Sequence, residues 1–206
     1  MNLPPTGLEY LPNELRYLQW DGFPWKSLPP SFRAEHLVEL DLQGSKLVKL
    51  WTGVKDVGNL RKIDLTLSYY LTELPDLSKA KNLECLILDN CQRLIEVPSS
   101  LEYLDKLEDI NLFGCKNLRS FPMLYSKVLR KLIISQCLHL TTCPTISQNL
   151  VWLQLERTSI KEVPQSVTGK LQFLFLNGCS KMTKFPENLE DIVQLHLSGP
   201  VSHKTP

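Results

Sequence analysis

The chain has 206 residues, 43% hydrophobic and 22% charged, with 23 basic and 22 acidic side chains for a net charge of +1. That much apolar material can bury a core, so composition excludes a disordered chain. The balanced charge gives no electrostatic case for nucleic acid or an anionic membrane as partner, and no apolar run approaches the roughly 20 residues that span a bilayer as a helix. The opening stretch MNLPPTGLEYLPNELRYLQW lacks the basic start and apolar core of a signal peptide. The expected location is therefore the cytosol or nucleus, where six cysteines stay reduced.

Residues 1–14 read as an entry segment. From Leu15 onward a frame LxxLxL recurs: LRYLQW at Leu15, LVELDL at Leu37, LRKIDL at Leu60, LECLIL at Leu83 and LEDINL at Leu107. It continues as LRKLII at Leu129, LVWLQL at Leu150, LQFLFL at Leu171 and IVQLHL at Ile192. The steps are 22, 23, 23, 24, 22, 21, 21 and 21 residues, inside the 20–29 residue period of leucine-rich repeats. The alternation in each frame predicts a short strand. A second apolar series follows and usually ends on proline, as in SYYLTELP, CQRLIEVP, CKNLRSFP, CLHLTTCP and CSKMTKFP. One residue shorter are FPWKSLP, TSIKEVP and SKLVKLW, where Trp51 takes the proline's place. Proline lacks the backbone donor that pairing needs, so it turns the chain away from the sheet.

One coil of this length cannot bury its leucines alone; stacked coils share a continuous core and pair their strands. The expected fold is an α/β leucine-rich repeat solenoid of about nine repeats over residues 15–199. A curved parallel sheet lines its concave face, and loops and short 3₁₀ turns its convex face. Residues 200–206 read as a tail. Neither end carries a recognisable capping repeat, so both are expected to be cut faces within a longer chain.

Three blocks narrow the class: LQWDGFPWKSLP at Leu18–Pro29, LVELDLQGSKLVKLWTGVK at Leu37–Lys55 and LPDLSKAKNLE at Leu74–Glu84. With LERTSIKEVP at Leu155–Pro164, the chain resembles the leucine-rich repeat region of plant TIR-type nucleotide-binding disease-resistance receptors. The resemblance implies a sensor that recognises a pathogen effector or a modified host protein and restrains the receptor's own nucleotide-binding module. The chain itself holds no GxxxxGK[ST] loop and no TIR segment, so neither nucleotide nor NAD chemistry is assigned to it. No cofactor is expected. Competing expectations are a repeat scaffold or pathogen-delivered repeat domain for protein–protein interaction, and a cysteine-based metal or redox module.

Cys91, Cys115, Cys137 and Cys179 share one slot, third after the last leucine of the frame, which Phe23, Ser45, Ser68 and Thr158 fill in other coils. A small side chain suits the tight turn there. Zinc sites favour compact pairs such as CxxC, and none occurs. Cys85 is expected on the concave face as an incidental surface residue. His36, His139, His196 and His203 form no metal spacing and no nucleophile–base pair. No catalytic residue and no metal ligand is therefore assigned.

Residues between the leucines point to the concave face and stack into ladders. One runs Tyr17, Glu39, Lys62, Cys85, Asp109, Lys131, Trp152, Phe173, Gln194; the next Gln19, Asp41, Asp64, Ile87, Asn111, Ile133, Gln154, Phe175, His196. A third runs Asp21, Gln43, Thr66, Asp89, Phe113, Ser135, Glu156, Asn177, Ser198. The C-terminal half gathers Phe113, Ile133, Trp152, Phe173, Phe175 and His196 as a candidate partner-binding patch, since aromatic residues anchor interfaces. The competing reading is that some of these rings fold onto their neighbours. The N-terminal half gathers Asp21, Glu39, Asp41, Asp64 and Asp89 as a candidate acidic docking patch.

Overall fold

The computed structural model describes residues 8–145, 148–186 and 189–198; the expected tail at 200–206 and the first residues of the entry segment lie outside them. Nine strands follow in chain order: β1 (Tyr17–Gln19), β2 (Glu39–Asp41), β3 (Lys62–Asp64), β4 (Cys85–Ile87), β5 (Asp109–Asn111), β6 (Lys131–Ile133), β7 (Trp152–Gln154), β8 (Phe173–Phe175) and β9 (Gln194–His196). Each pairs only with its sequence neighbours in one sheet, always in parallel, with Tyr17 opposite Glu39, Glu39 opposite Lys62, and so on to Phe173 opposite Gln194. The first two predicted ladders are thus the observed register. The architecture is the expected leucine-rich repeat solenoid.

The middle residue of each strand points inward. Leu40, Ile63, Leu86, Ile110, Leu132, Leu153 and Leu174 have no exposed surface. Leu47, Leu71, Leu94, Leu118, Leu140, Ile160 and Met182 meet them from the returning segments. Burying each such side chain stabilises the coil by about 1.5–3 kcal/mol, and the benefit exists only because the next coil covers it. At the first strand Leu18 is nearly buried, with Trp20, Phe23 and Trp25 packed edge-to-face 5.3–5.5 Å apart beside it. At the last strand the equivalent Leu195 is 39% exposed.

Turns carry the returning segments. The described helical pieces are two 3₁₀ turns, Ser99–Tyr103 and Gln165–Lys170, each directly after a proline, and Pro98 caps the first of them with an extended φ of −65° and ψ of 143°. Bridges between Glu96 and Ser120 and between Glu162 and Lys184 add a discontinuous second pairing two residues before a proline, which the sequence pattern did not announce.

A sharp corner follows each of the strands β1–β8. Gly22, Gly44, Leu67, Asn90, Gly114, Gln136, Arg157 and Gly178 occupy one repeat position, and all have φ between 55° and 72°. Backbone N–H groups at this corner donate to the next coil, as Asn90 does to the Phe113 carbonyl and Gly114 to that of Ser135, so the left-handed turn is required for stacking. The next residue is the cysteine slot. Cys91 donates its thiol to the Leu65 carbonyl, Cys115 to Leu88, Cys137 to Leu112 and Cys179 to Leu155, at 3.1–3.3 Å. Ser68 donates likewise to Leu42. Whereas Thr158 donates to the Leu155 carbonyl of its own coil, these five slot residues each link a coil to the one before. Asparagines at the strand entry do the same on the other side: Asn59, Asn82 and Asn149 donate their side-chain amides to carbonyls of Glu35, Gly58 and Lys127.

Candidate functional site

The concave face is a surface on which the repeat leaves side-chain identity free. Its aromatic end sits on β7, β8 and β9. The register sets Trp152 beside Phe173, and Phe175 beside His196. Trp152 stacks on Phe173 and on Phe175, with both ring separations 4.9 Å and interplanar angles of 29° and 30°. His196 meets Phe175 edge-on at 4.7 Å and lies 2.8 Å from the Gln194 amide. Trp152 and Phe173 are half-buried and His196 is exposed, whereas Phe175 is only 8% exposed. The rings have partly folded onto one another: Phe175 is the floor of the cluster, and Trp152 and Phe173 form its accessible surface. The Trp152 indole nitrogen is buried without a hydrogen-bond partner. A buried, unsatisfied donor costs about 1–3 kcal/mol, a cost that Trp51 carries in the core as well.

Of the other two candidates, Ile133 is half-buried on β6, in register with Gln154 and on the strand beside Trp152. Phe113 lies at the far edge of the face, after β5, lining a polar cavity of about 420 Å³ with Ser135, Gln136, Glu156, Arg157, Asn177 and Ser198. Sequence reasoning missed that network. Glu156 accepts from the side chains of Gln154 and Asn177, and its backbone N–H donates to Ser135 Oγ. The signal was available, since these residues occupy adjacent ladder positions, but neutral polar residues drew no notice.

The acidic end spans the first four strands. Asp21 and Glu39 are exposed, Asp41 and Asp89 half-buried, and Asp64 is 6% exposed. Gln43 donates to both Asp41 and Asp64, at 3.2 and 3.4 Å, and the Thr66 backbone N–H donates to Asp64 at 3.0 Å. Asp64 is thus an internal brace of the face. Asp41 retains one buried carboxylate oxygen without a partner. Burial first, and then the charge of Asp64, pushes the Asp89 carboxyl above its ordinary range, opposed by the amide of Asn90. Between the two ends, Lys131 pairs with Asp109 at 3.3 Å.

The thiols offer no chemistry comparable to these surfaces. Burial holds Cys91, Cys137 and Cys143 up to about 12 and Cys115 well above its ordinary value. Cys85 is half-buried rather than openly exposed, and burial, with Asp109 next, raises it to about 11. Reactive cysteines need the opposite shift. Among the described residues no group of three or more His, Cys, Asp or Glu could hold a metal ion, and no helix is long and apolar enough to cross a membrane.

Comparison with known proteins agrees with this geometry. A leucine-rich repeat family model matches residues 36–55. The chain is 40% identical over 194 residues to disease resistance protein RML1A of Arabidopsis thaliana, covering 91% of this chain and 19% of that protein. It is 42% identical over 243 residues to disease resistance protein RPS6 of the same plant, covering 94% and 22%. To disease resistance protein RPP5 it is 37% identical over 219 residues, covering 91% and 15%. The chain thus spans about a fifth of the length of the first of these relatives. With its nine-stranded parallel solenoid, it belongs to the leucine-rich repeat domains of plant disease resistance proteins.

Proposed function

We propose that this chain is the non-catalytic recognition and autoinhibitory module of an intracellular plant immune receptor of the TIR-type nucleotide-binding class. Its ligand is a protein, either a pathogen effector or a modified host target, and in the resting receptor it contacts the nucleotide-binding module. The cytosol, or the nucleus, is where it acts. The observation that carries this reading is the Trp152–Phe173 stack, half-buried on the concave face with an unpartnered indole nitrogen. Such a cluster lowers solubility and costs stability where it stands, which suits a surface kept for binding. Relatives named for disease resistance supply the class.

The test is the full receptor carrying Trp152→Glu and Phe173→Glu. Loss of pathogen-triggered cell death is expected if the stack contacts the ligand, and constitutive cell death if it contacts the nucleotide-binding module. A response unchanged in both resting and challenged tissue would refute the assignment. A free-standing repeat scaffold is distinguished by the natural sequence that precedes the repeats, which in a receptor encodes a nucleotide-binding module.

A further inference from the structure

The concave face is polarised along the solenoid. Across the ladder positions of the first four coils stand five carboxylates and a single lysine, Lys62. Across β7 and β8 stands the aromatic stack, with no basic residue on either strand. The strip between is neutralised internally, Lys131 pairing with Asp109. The negative end is not neutralised by the fold. Among the described residues none of these five carboxylates makes an ion pair, and burial first, then the charge of Asp64, raises the Asp89 carboxyl. Charge complementarity therefore favours a basic group in whatever this face binds.

We propose that the face binds an extended protein segment carrying one or more basic residues over Glu39, Asp41 and Asp89 and a large apolar or aromatic residue on Trp152 and Phe173. This rests on the concave-face reading above and adds the chemistry of the partner. The spacing follows from the sheet. The gap from the middle of β2–β4 to the middle of β7–β8 is four to five strand intervals of about 4.8 Å, on the order of 22 Å, and an extended chain covers that in about six to seven residues. The acidic end attracts the partner at long range and fixes its direction, while the stack supplies most of the buried apolar contact.

A phage-displayed random dodecamer library selected against the 206-residue chain tests this. Enriched peptides are expected to carry Lys or Arg five to seven positions from Trp, Phe, Tyr or Leu. Their affinity should fall at least tenfold with Glu39→Lys plus Asp89→Lys, fall again between low and high salt, and fall at least tenfold with Trp152→Glu. Circular dichroism melts confirm that each variant is folded. Peptides that depend on Trp152 but show no basic preference and ignore the charge reversal would overturn the proposal and leave the concave-face reading standing. Peptides indifferent to both sets of variants, or a selection without enrichment, would overturn both.

Discussion

Trp152 shows how one side chain can work against the fold that carries it. Its ring is well packed between Phe173 and Phe175, but its indole nitrogen has lost water without gaining an acceptor. Trp152→Phe keeps the stack and removes the orphaned donor. It should leave the melting temperature unchanged or raise it slightly, while weakening partner binding; a thermal melt run beside a binding titration separates the two effects. Asp89 presents a similar conflict. Its carboxyl titrates above the ordinary 3.8 because burial and Asp64 disfavour its charge. The folded state therefore holds this proton more tightly than the unfolded one, and stability contributed here is lost as pH rises through the window starting near 3.8. Asp89→Asn should be the more stable protein at neutral pH, by less than about 1 kcal/mol at so open a site. The gain should vanish below the unfolded value, which urea melts at pH 7 and pH 3 would show.

The element that makes the solenoid is the corner after each strand. Gly114 has φ of 70°, and a Cβ there would stand 2.4 Å from the Asn90 side-chain oxygen. Gly114→Ala should therefore cost more than the roughly 1–2 kcal/mol of a left-handed residue alone. Adding Asn90→Gly should return part of that loss in denaturant melts. At the equivalent position Leu67 already sits at φ 61° and is 39% exposed. Leu67→Gly should stabilise by up to about 1 kcal/mol, the opposite sign at the same corner. This corner was not legible in the sequence, because Leu67, Asn90, Gln136 and Arg157 interrupt the glycines and only the backbone reveals what they share. The strand register was legible, since a two-residue alternation repeated nine times leaves no other pairing. The cysteine slot was legible as a column; the thiol-to-carbonyl bonds that hold it were not. All six thiols should react with Ellman's reagent in guanidinium. In native protein at pH 8 the four buried thiols of the column, Cys91, Cys115, Cys137 and Cys179, should react slowly or not at all.

Over the whole molecule the same repeat builds both a uniform core and a non-uniform face. The core positions are mostly leucine because every coil must match its neighbours. The concave ladders carry no such requirement, so their composition can follow a partner: acidic at β1–β4, aromatic at β7–β8. Sequence reasoning found both patches by counting ladder positions. It could not find that Phe175 is covered, Asp64 braced and Phe113 set apart, because these depend on how rings and amides reach across strands. Solenoid stability is spread over nearest-neighbour contacts, so a charged substitution on the face should leave the fold intact and remove recognition alone. The most direct test of the account is the cell-death response of the full receptor carrying Trp152→Glu and Phe173→Glu, with receptor abundance measured alongside. At normal abundance, loss of the pathogen-triggered response or a constitutive response is predicted; a response indistinguishable from that of the unsubstituted receptor, at rest and on challenge, would contradict it.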